Sequence, residues 1–195
     1  PTRRLGRAPR RALAQGHGDG SFDPPSDVAA VSASWLAAGD LNRDGSQDIA
    51  AAAGNQLVVL LNRGDGSFLP PVAYGAGSSA KSVAIGDLDG DGNLDLVTAE
   101  NPSDSVSVFL GNGNGTFRPR TAFPAGVGSC AVAIGYFNAD SFPDLAVADG
   151  RRESFPVWSN SRVAVLLGNG DGTFQQHVDF PVGSEPRAVA IGDVN

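Results

Sequence analysis

Short runs of alternating apolar and polar residues recur along the chain, each broken by a glycine-rich phrase. In one such run, Ser105–Leu110, Val106, Val108 and Leu110 alternate with polar or bulky partners. A period of two is the pattern of a half-buried strand. Around it lie a small apolar run at Lys81–Asp87, a second at Leu96–Ala99 and a more irregular one at Thr116–Phe123. The four runs predict four short strands. No window carries the sustained three-to-four spacing of a helix, and 26 Gly and 13 Pro supply the punctuation for many tight turns.

The four-strand pattern repeats. Gly18-Asp19-Gly20-Ser21-Phe22 returns at 64–68, as Gly-Asn-Gly-Thr-Phe at 113–117 and as Gly-Asp-Gly-Thr-Phe at 170–174, so the Phe positions step by 46, 49 and 57 residues. A second phrase, Gly-Asp-Leu-Asn-Arg-Asp-Gly-Ser-Gln-Asp at 39–48, returns at 86–95, in worn form at 135–144, and begins once more at 192. Its steps, measured from Asp40 through Asp87 and Tyr136 to Asp193, are 47, 49 and 57. Two markers in one rhythm establish a true repeat. The long last step predicts an insertion around Asp149–Ser161.

A four-stranded sheet every 40–50 residues is the mark of a β-propeller blade. The expected fold is therefore all-β, a β-propeller of four-stranded blades. About three blades are complete, at 26–76, 77–125 and 126–182, with partial strands at 16–25 and 183–195. Residues 1–15 read as a basic, disordered leader. Unpaired strands at both ends recruit other strands, so the arc is expected to pair with further blades or to self-associate as a dimer or larger assembly.

The worn phrase and its sisters are candidate metal sites. Calcium takes six to eight oxygens from carboxylates, amides, carbonyls and water. Oxygens at positions 1, 3 and 5 of a tight loop can curl around one ion, with Gly at position 6 for the turn. Asp40, Asn42, Asp44 and Gly45 fill these places in the first loop, and Asp87, Asp89, Asp91 and Gly92 in the second. Ser46 and Asn93 stand at position 7, offering carbonyls, and Asp48 and Asp95 close the cage at position 9. An EF-hand needs Glu at position 12 between helices. Ala51 and Thr98 stand there, and the flanks read as strands. In the third loop Tyr136 and Ser141 replace the first acid and the turn Gly, while Asn138, Asp140 and Asp144 remain. Whether that loop holds metal stays open.

Charge sharpens the picture. Five Arg fall within the first eleven residues, leaving nine basic residues against all 21 acids in the rest of the chain. A body that acidic argues against nucleic acid and suits cation binding. No apolar run is long enough to span a membrane. The single cysteine, Cys130, excludes an internal disulfide framework.

The phrases Val-Ala-Ile-Gly-Asp-Leu-Asp-Gly-Asp-Gly-Asn-Leu-Asp-Leu-Val at 83–97 and Phe-Leu-Gly-Asn-Gly-Asn-Gly-Thr-Phe at 109–117 resemble the FG-GAP/VCBS repeat family. These repeats are the blades of the integrin alpha-subunit propeller and of many bacterial secreted proteins. The resemblance covers nearly everything from Gly16 onward. It implies calcium at the hairpin loops joining the first two strands of a blade. It also implies an extracellular or cell-envelope setting and a role in adhesion or in binding carbohydrate or protein.

Catalysis is poorly supplied. His17 and His177 are the only histidines, no Gly-x-Ser-x-Gly elbow occurs, and the paired carboxylates are those assigned to calcium. Arg63-Gly64-Asp65 is the local form of the glycine-rich turn found in every unit. Trp35, Tyr74, Tyr136 and Trp158 are aromatic candidates for stacking on sugar rings. The expected function is a non-catalytic, calcium-loaded binding module of a secreted or surface protein. The alternative is the substrate-binding part of a carbohydrate-active enzyme such as a polysaccharide lyase.

Overall fold

The computed structural model describes residues 11–13, 21, 26–29, 32–126, 128–150, 161–183 and 186–192. Among them are twelve strands and no helix. In chain order they are β1 (Arg11–Leu13), β2 (Ser26–Ala29), β3 (Trp35–Gly39), β4 (Asp48–Leu60), β5 (Val72–Gly86) and β6 (Asp95–Glu100). Then follow β7 (Ser105–Phe109), β8 (Thr121–Pro124), β9 (Ser129–Gly135), β10 (Asp144–Asp149), β11 (Arg162–Leu166) and β12 (Val178–Pro181).

The third blade is the plainest. Strands β9, β10, β11 and β12 pair in that order, each antiparallel to the next. The other two blades share long strands. β4 pairs with β3 through Asp48–Ala52 and with β5 through Gln56–Val59, so it serves as both second and third strand of the first blade. The switch falls at Gly54, whose φ of 62° is open to glycine at little cost. β5 likewise gives the first blade its last strand through Val72–Gly75 and the second blade its first through Ser82–Gly86. β6, β7 and β8 complete the second blade. The all-β propeller architecture expected from the repeat is thus the observed one.

The core lies between successive blades. One apolar cluster, including Leu41, Leu57, Val83, Leu96 and Phe109, is shared by the first and second blades. Another, including Leu88, Val97, Val132, Leu145 and Phe174, is shared by the second and third. The second strands β6 and β10 are buried at every residue. With both faces covered they need no polar alternation, which accounts for Leu96–Ala99 reading as a continuous short run.

One joint recurs between blades. Ile85 packs over Gly39, Ile134 over Gly86 and Ile191 over Gly135; a Cβ on Gly86 would lie 2.9 Å from Ile134 Cδ1. The turn before a last strand donates backward across the joint. Gly115 N–H bonds the Leu41 carbonyl at 3.0 Å and Gly172 N–H that of Leu88 at 3.2 Å. A ring pair completes it, Tyr74 edge-on to Phe117 and Phe123 edge-on to Phe174.

The N-terminal region differs from expectation. Arg11–Leu13 are not part of a structureless leader; they pair with β2 in a two-stranded sheet. β2 begins four residues after Phe22, as β5, β8 and β12 begin four residues after Phe68, Phe117 and Phe174. It therefore holds the place of a last strand, and β1 that of a third strand, of a preceding blade. A strand in the place expected of the partial strand at 16–25 runs at Ser26–Ala29. Apart from Ser21, residues 14–25 lie outside the described residues, as does most of the expected insertion, 151–160. The initial strand expected within 183–195 is not formed at 186–192, where no neighbouring strand is available to pair with it among the described residues.

Candidate metal centre

Each candidate loop joins the first two strands of a blade: residues 40–47 between β3 and β4, 87–94 between β5 and β6, and 136–143 between β9 and β10. Short polar side chains bonding backbone two to five residues ahead curl these loops. In the first, Asp40 accepts the N–H groups of Asp44 and Gly45, and Asp44 accepts that of Ser46 at 2.8 Å. In the second, Asp87 accepts from Gly90 and Gly92, Asp89 from Asp91, and Asp91 from Asn93. Position 6 has a positive φ in all three loops, 85° at Gly45, 79° at Gly92 and 67° at Ser141. Ser141 adopts the left-handed conformation without glycine's freedom to do so.

The second loop gathers its acids. Carboxylate oxygens of Asp87, Asp89 and Asp95 lie within 4.8 Å of one another, the only such trio of His, Cys, Asp or Glu among the described residues. Asp91 stands outside the trio, exposed, with its carboxyl held below the ordinary range chiefly by the Asn93 N–H. Arg118 approaches Asp89 and Asp91 at 3.7 Å each. Asn93 donates its amide N–H to Asp91, and Ser46 does the same for Asp44. In the first loop Asn42 takes the place of Asp89, so Asp40 and Asp48 have an amide between them rather than a third acid. Asn42 donates to Asp44 at 2.8 Å, and Asn138 donates to Asp140 at 2.7 Å in the third loop. Tyr136, at position 1 there, is exposed and has no carboxylate to offer.

Position 9 has a role that spacing alone did not reveal. Asp48, Asp95 and Asp144 are each 0 % exposed. Asp95 accepts the Leu88 N–H at 2.7 Å with one oxygen and the Gly111 N–H at 2.7 Å with the other. Asp48 holds Leu41 and Asn62 in the same way, and Asp144 holds Phe137 and Gly168. The acid is a bracket that ties each loop to the start of the turn after the third strand. Its persistence as Asp144, where position 1 has been lost, was the signal in the sequence. Burial pushes the Asp95 carboxyl up to about 6, against the two amide bonds and with help from the nearby Asp89 and Asp91 charges. Burial also raises Asp48 and Asp89.

This donor set fits a hard cation. All of its atoms are oxygens, and each Asp95 oxygen keeps a lone pair beyond the one its amide uses. A divalent charge would favour the ionised forms that burial and mutual repulsion oppose.

The other candidates are sorted by their surroundings. Tyr74 is half-buried between Phe109 and Phe117, which makes it packing rather than a sugar platform. Trp35 and Tyr136 are exposed, and Trp158 lies outside the described residues. Arg63-Gly64-Asp65 forms the expected turn, closed by Arg63 N–H to the Ser67 carbonyl. Cys130 is half-buried, its thiol donating to the Ala148 or Pro186 carbonyl, and burial raises its pKa. His177 pairs with Asp179 at 2.9 Å.

Two comparisons bear on this site. The FG-GAP-like repeat matches residues 40–98 and 87–147, together more than half of the chain, and both matches begin at the first acid of a loop. Among solved structures the chain is similar to an Agrocybe aegerita lectin, described for its specific recognition of non-reducing terminal N-acetylglucosamine. The identity is 23% and the TM-score 0.59, over 87% of this chain and 46% of that one. The chain thus spans about half the length of the lectin. No curated protein sequence matches.

Proposed function

The chain belongs to the FG-GAP-like repeat family, and from that premise we propose that it is a calcium-stabilised, non-catalytic binding module of a secreted or cell-surface protein, taking glycan ligands. The observation that carries the reading is the Asp87, Asp89 and Asp95 trio in a loop the family match begins on. Asp87, Asp89 and Asp95 would hold the ion in the second blade, and Asp40, Asn42 and Asp48 in the first. The ion would fix the loop between two strands and relieve the crowding of its carboxylates. The likeness in fold to a lectin supports a glycan over other ligand classes. The exposed Trp35 and Tyr136 offer apolar ring faces of the kind sugars stack on.

The test has two arms. Calorimetric titration with calcium is expected to show two sites, with Kd on the order of 10⁻⁴–10⁻³ M as in extracellular modules. A glycan array is expected to show binding that weakens on chelation, with terminal N-acetylglucosamine as the first probe. No heat of calcium binding overturns the metal reading, and an empty array overturns the glycan reading.

A further inference from the structure

The turn after the third strand closes on Phe68, Phe117 and Phe174 in the three blades, and the next residue is Leu69, Arg118 and Gln175 in turn. Among them only the second blade carries a charge there. Only the second blade also has an acid at position 3 of its loop, Asp89 against Asn42 and Asn138. The two changes meet in space. In the first and third loops the position 3 amide donates to the acid at position 5, Asn42 to Asp44 at 2.8 Å and Asn138 to Asp140 at 2.7 Å. An ionised Asp89 has no hydrogen to donate, and its charge repels that of Asp91. Arg118 takes over the task of the missing amide. It sets one terminal nitrogen 3.7 Å from Asp89 Oδ2 and the other 3.7 Å from Asp91 Oδ2. A planar fork suits the bridging of two carboxylates. The Asn93 amide also donates to that Asp91 oxygen, at 2.9 Å. Between Arg118 and Asn93, the position 5 acid is kept off the trio of Asp87, Asp89 and Asp95.

We infer that Arg118 is a latch on the second loop, bridging Asp89 and Asp91 while no divalent cation is bound and released to solvent when those two acids turn to one. The inference rests on the calcium reading of this loop. The exchange is favoured by charge and distance. A divalent ion meets carboxylate oxygens at about 2.3–2.6 Å, closer than the guanidinium and with twice its charge. The ion and the guanidinium also repel each other. The Arg118 side chain is 50% exposed, so it can leave without opening the core. Whatever the latch adds to the metal-free loop it takes from the affinity of that loop for calcium. The first loop has Leu69 at the matching place and meets no such competitor. The two sites therefore differ in a way that their count of acids does not report.

Arginine modification by phenylglyoxal, followed residue by residue with mass spectrometry on the whole chain, tests the latch at low ionic strength. Arg118 is expected to react a few-fold faster in millimolar calcium than in chelator. Arg162, paired with Asp179 at 2.6 Å in the third blade, is the internal reference and should keep one rate. Asp91→Asn unhooks one arm of the fork. Arg118 should then react faster in chelator, and calcium should change its rate less. Arg118→Gln introduces the residue that the third blade has at this place, so the fold accepts it. In calorimetry it should tighten one of the two calcium sites a few-fold and leave the other unchanged. Arg120→Gln removes the same charge two residues away, where the guanidinium donates to Ser107, and should shift neither site. Calcium binding with an unchanged Arg118 rate overturns the latch and leaves the calcium reading standing. So does an Arg118→Gln variant whose two sites match the wild type, or one whose two sites tighten together. No calcium binding at all overturns both.

Discussion

Replacing Asp144 by Ala separates the bracket from the metal ligand. The third loop has lost its first acid, so under the proposed function calcium is expected to contribute little there, while Asp144 accepts Phe137 N–H at 2.7 Å and Gly168 N–H at 2.8 Å. Its removal strands two backbone donors, one buried and one half-buried. A buried donor without a partner costs about 1–3 kcal/mol. The Phe137 amide can recruit water at the open side of the blade, so the sum is about 2–4 kcal/mol. That loss should be the same with millimolar calcium or with chelator. Asp95→Ala strands the same two donors in the second blade, Leu88 and Gly111, and also removes a ligand. At millimolar calcium and the affinities expected above, one site adds about 0.4–1.4 kcal/mol to folded-state stability. Asp95→Ala should therefore lose that increment in calcium on top of the bracket, and Asp87→Ala should lose the increment with little cost in chelator. Urea unfolding of the three variants, each with calcium and with chelator, reads all of this. An Asp144→Ala cost below about 1 kcal/mol, or one that tracks calcium, would refute the bracket.

Four further outcomes are expected. Ser141→Gly relieves a left-handed serine that costs about 1–2 kcal/mol, less the extra entropy of an unfolded glycine, and should raise the melting temperature. Gly86→Ala places a methyl 2.9 Å from Ile134 and should destabilise by about 1–3 kcal/mol, most of which Gly86→Ala with Ile134→Val should recover. The Asp95 carboxyl is raised to about 6 in the fold from an ordinary value near 3.8. Stability of the calcium-free protein should thus fall as pH climbs from about 4 to 6, and calcium affinity should strengthen as pH rises through about 6; equal calorimetric affinities at pH 5 and 7 would count against it. Arg118→Ala removes a cation 3.7 Å from Asp89 and Asp91 and should tighten calcium binding a few-fold at low ionic strength, an effect that fades in salt.

The period was legible because its markers are forced by backbone geometry. Gly-x-Gly-x-Phe builds the turn and delivers the ring to the joint, so its spacing reports the blade. The apolar strands β6 and β7 were equally readable, since Leu96, Val97, Val106 and Val108 have one possible destination in a small sheet. The strand at Arg11–Leu13 was hidden by its shortness and by the arginine-rich stretch before it, in which no alternation shows. Distance could have found it, for Leu13 precedes Phe22 by nine residues, as Val59, Val108 and Val165 precede Phe68, Phe117 and Phe174. The candidate ligands were readable as a set but not in their separate tasks. Spacing cannot tell a carboxylate that faces an ion from one that faces two amides, and Asp95 does the second whatever else it binds.

Each blade is coupled to the next through a shared apolar cluster and one bond from its turn into the loop of the blade before, so the contacts run between nearest neighbours. Such an array behaves as a short row of nearest-neighbour units, in which the least supported members fray first. The second blade is clasped on both sides, by Leu41 accepting from Gly115 and by Leu88 accepting from Gly172. Amide exchange should therefore be slowest in β6 and β7 and quicken outward toward β3 and β12. The best-formed acid trio lies in that same middle blade. An ion gripped there would stiffen the row at its centre, and the gain would spread to both flanks rather than stay in one loop.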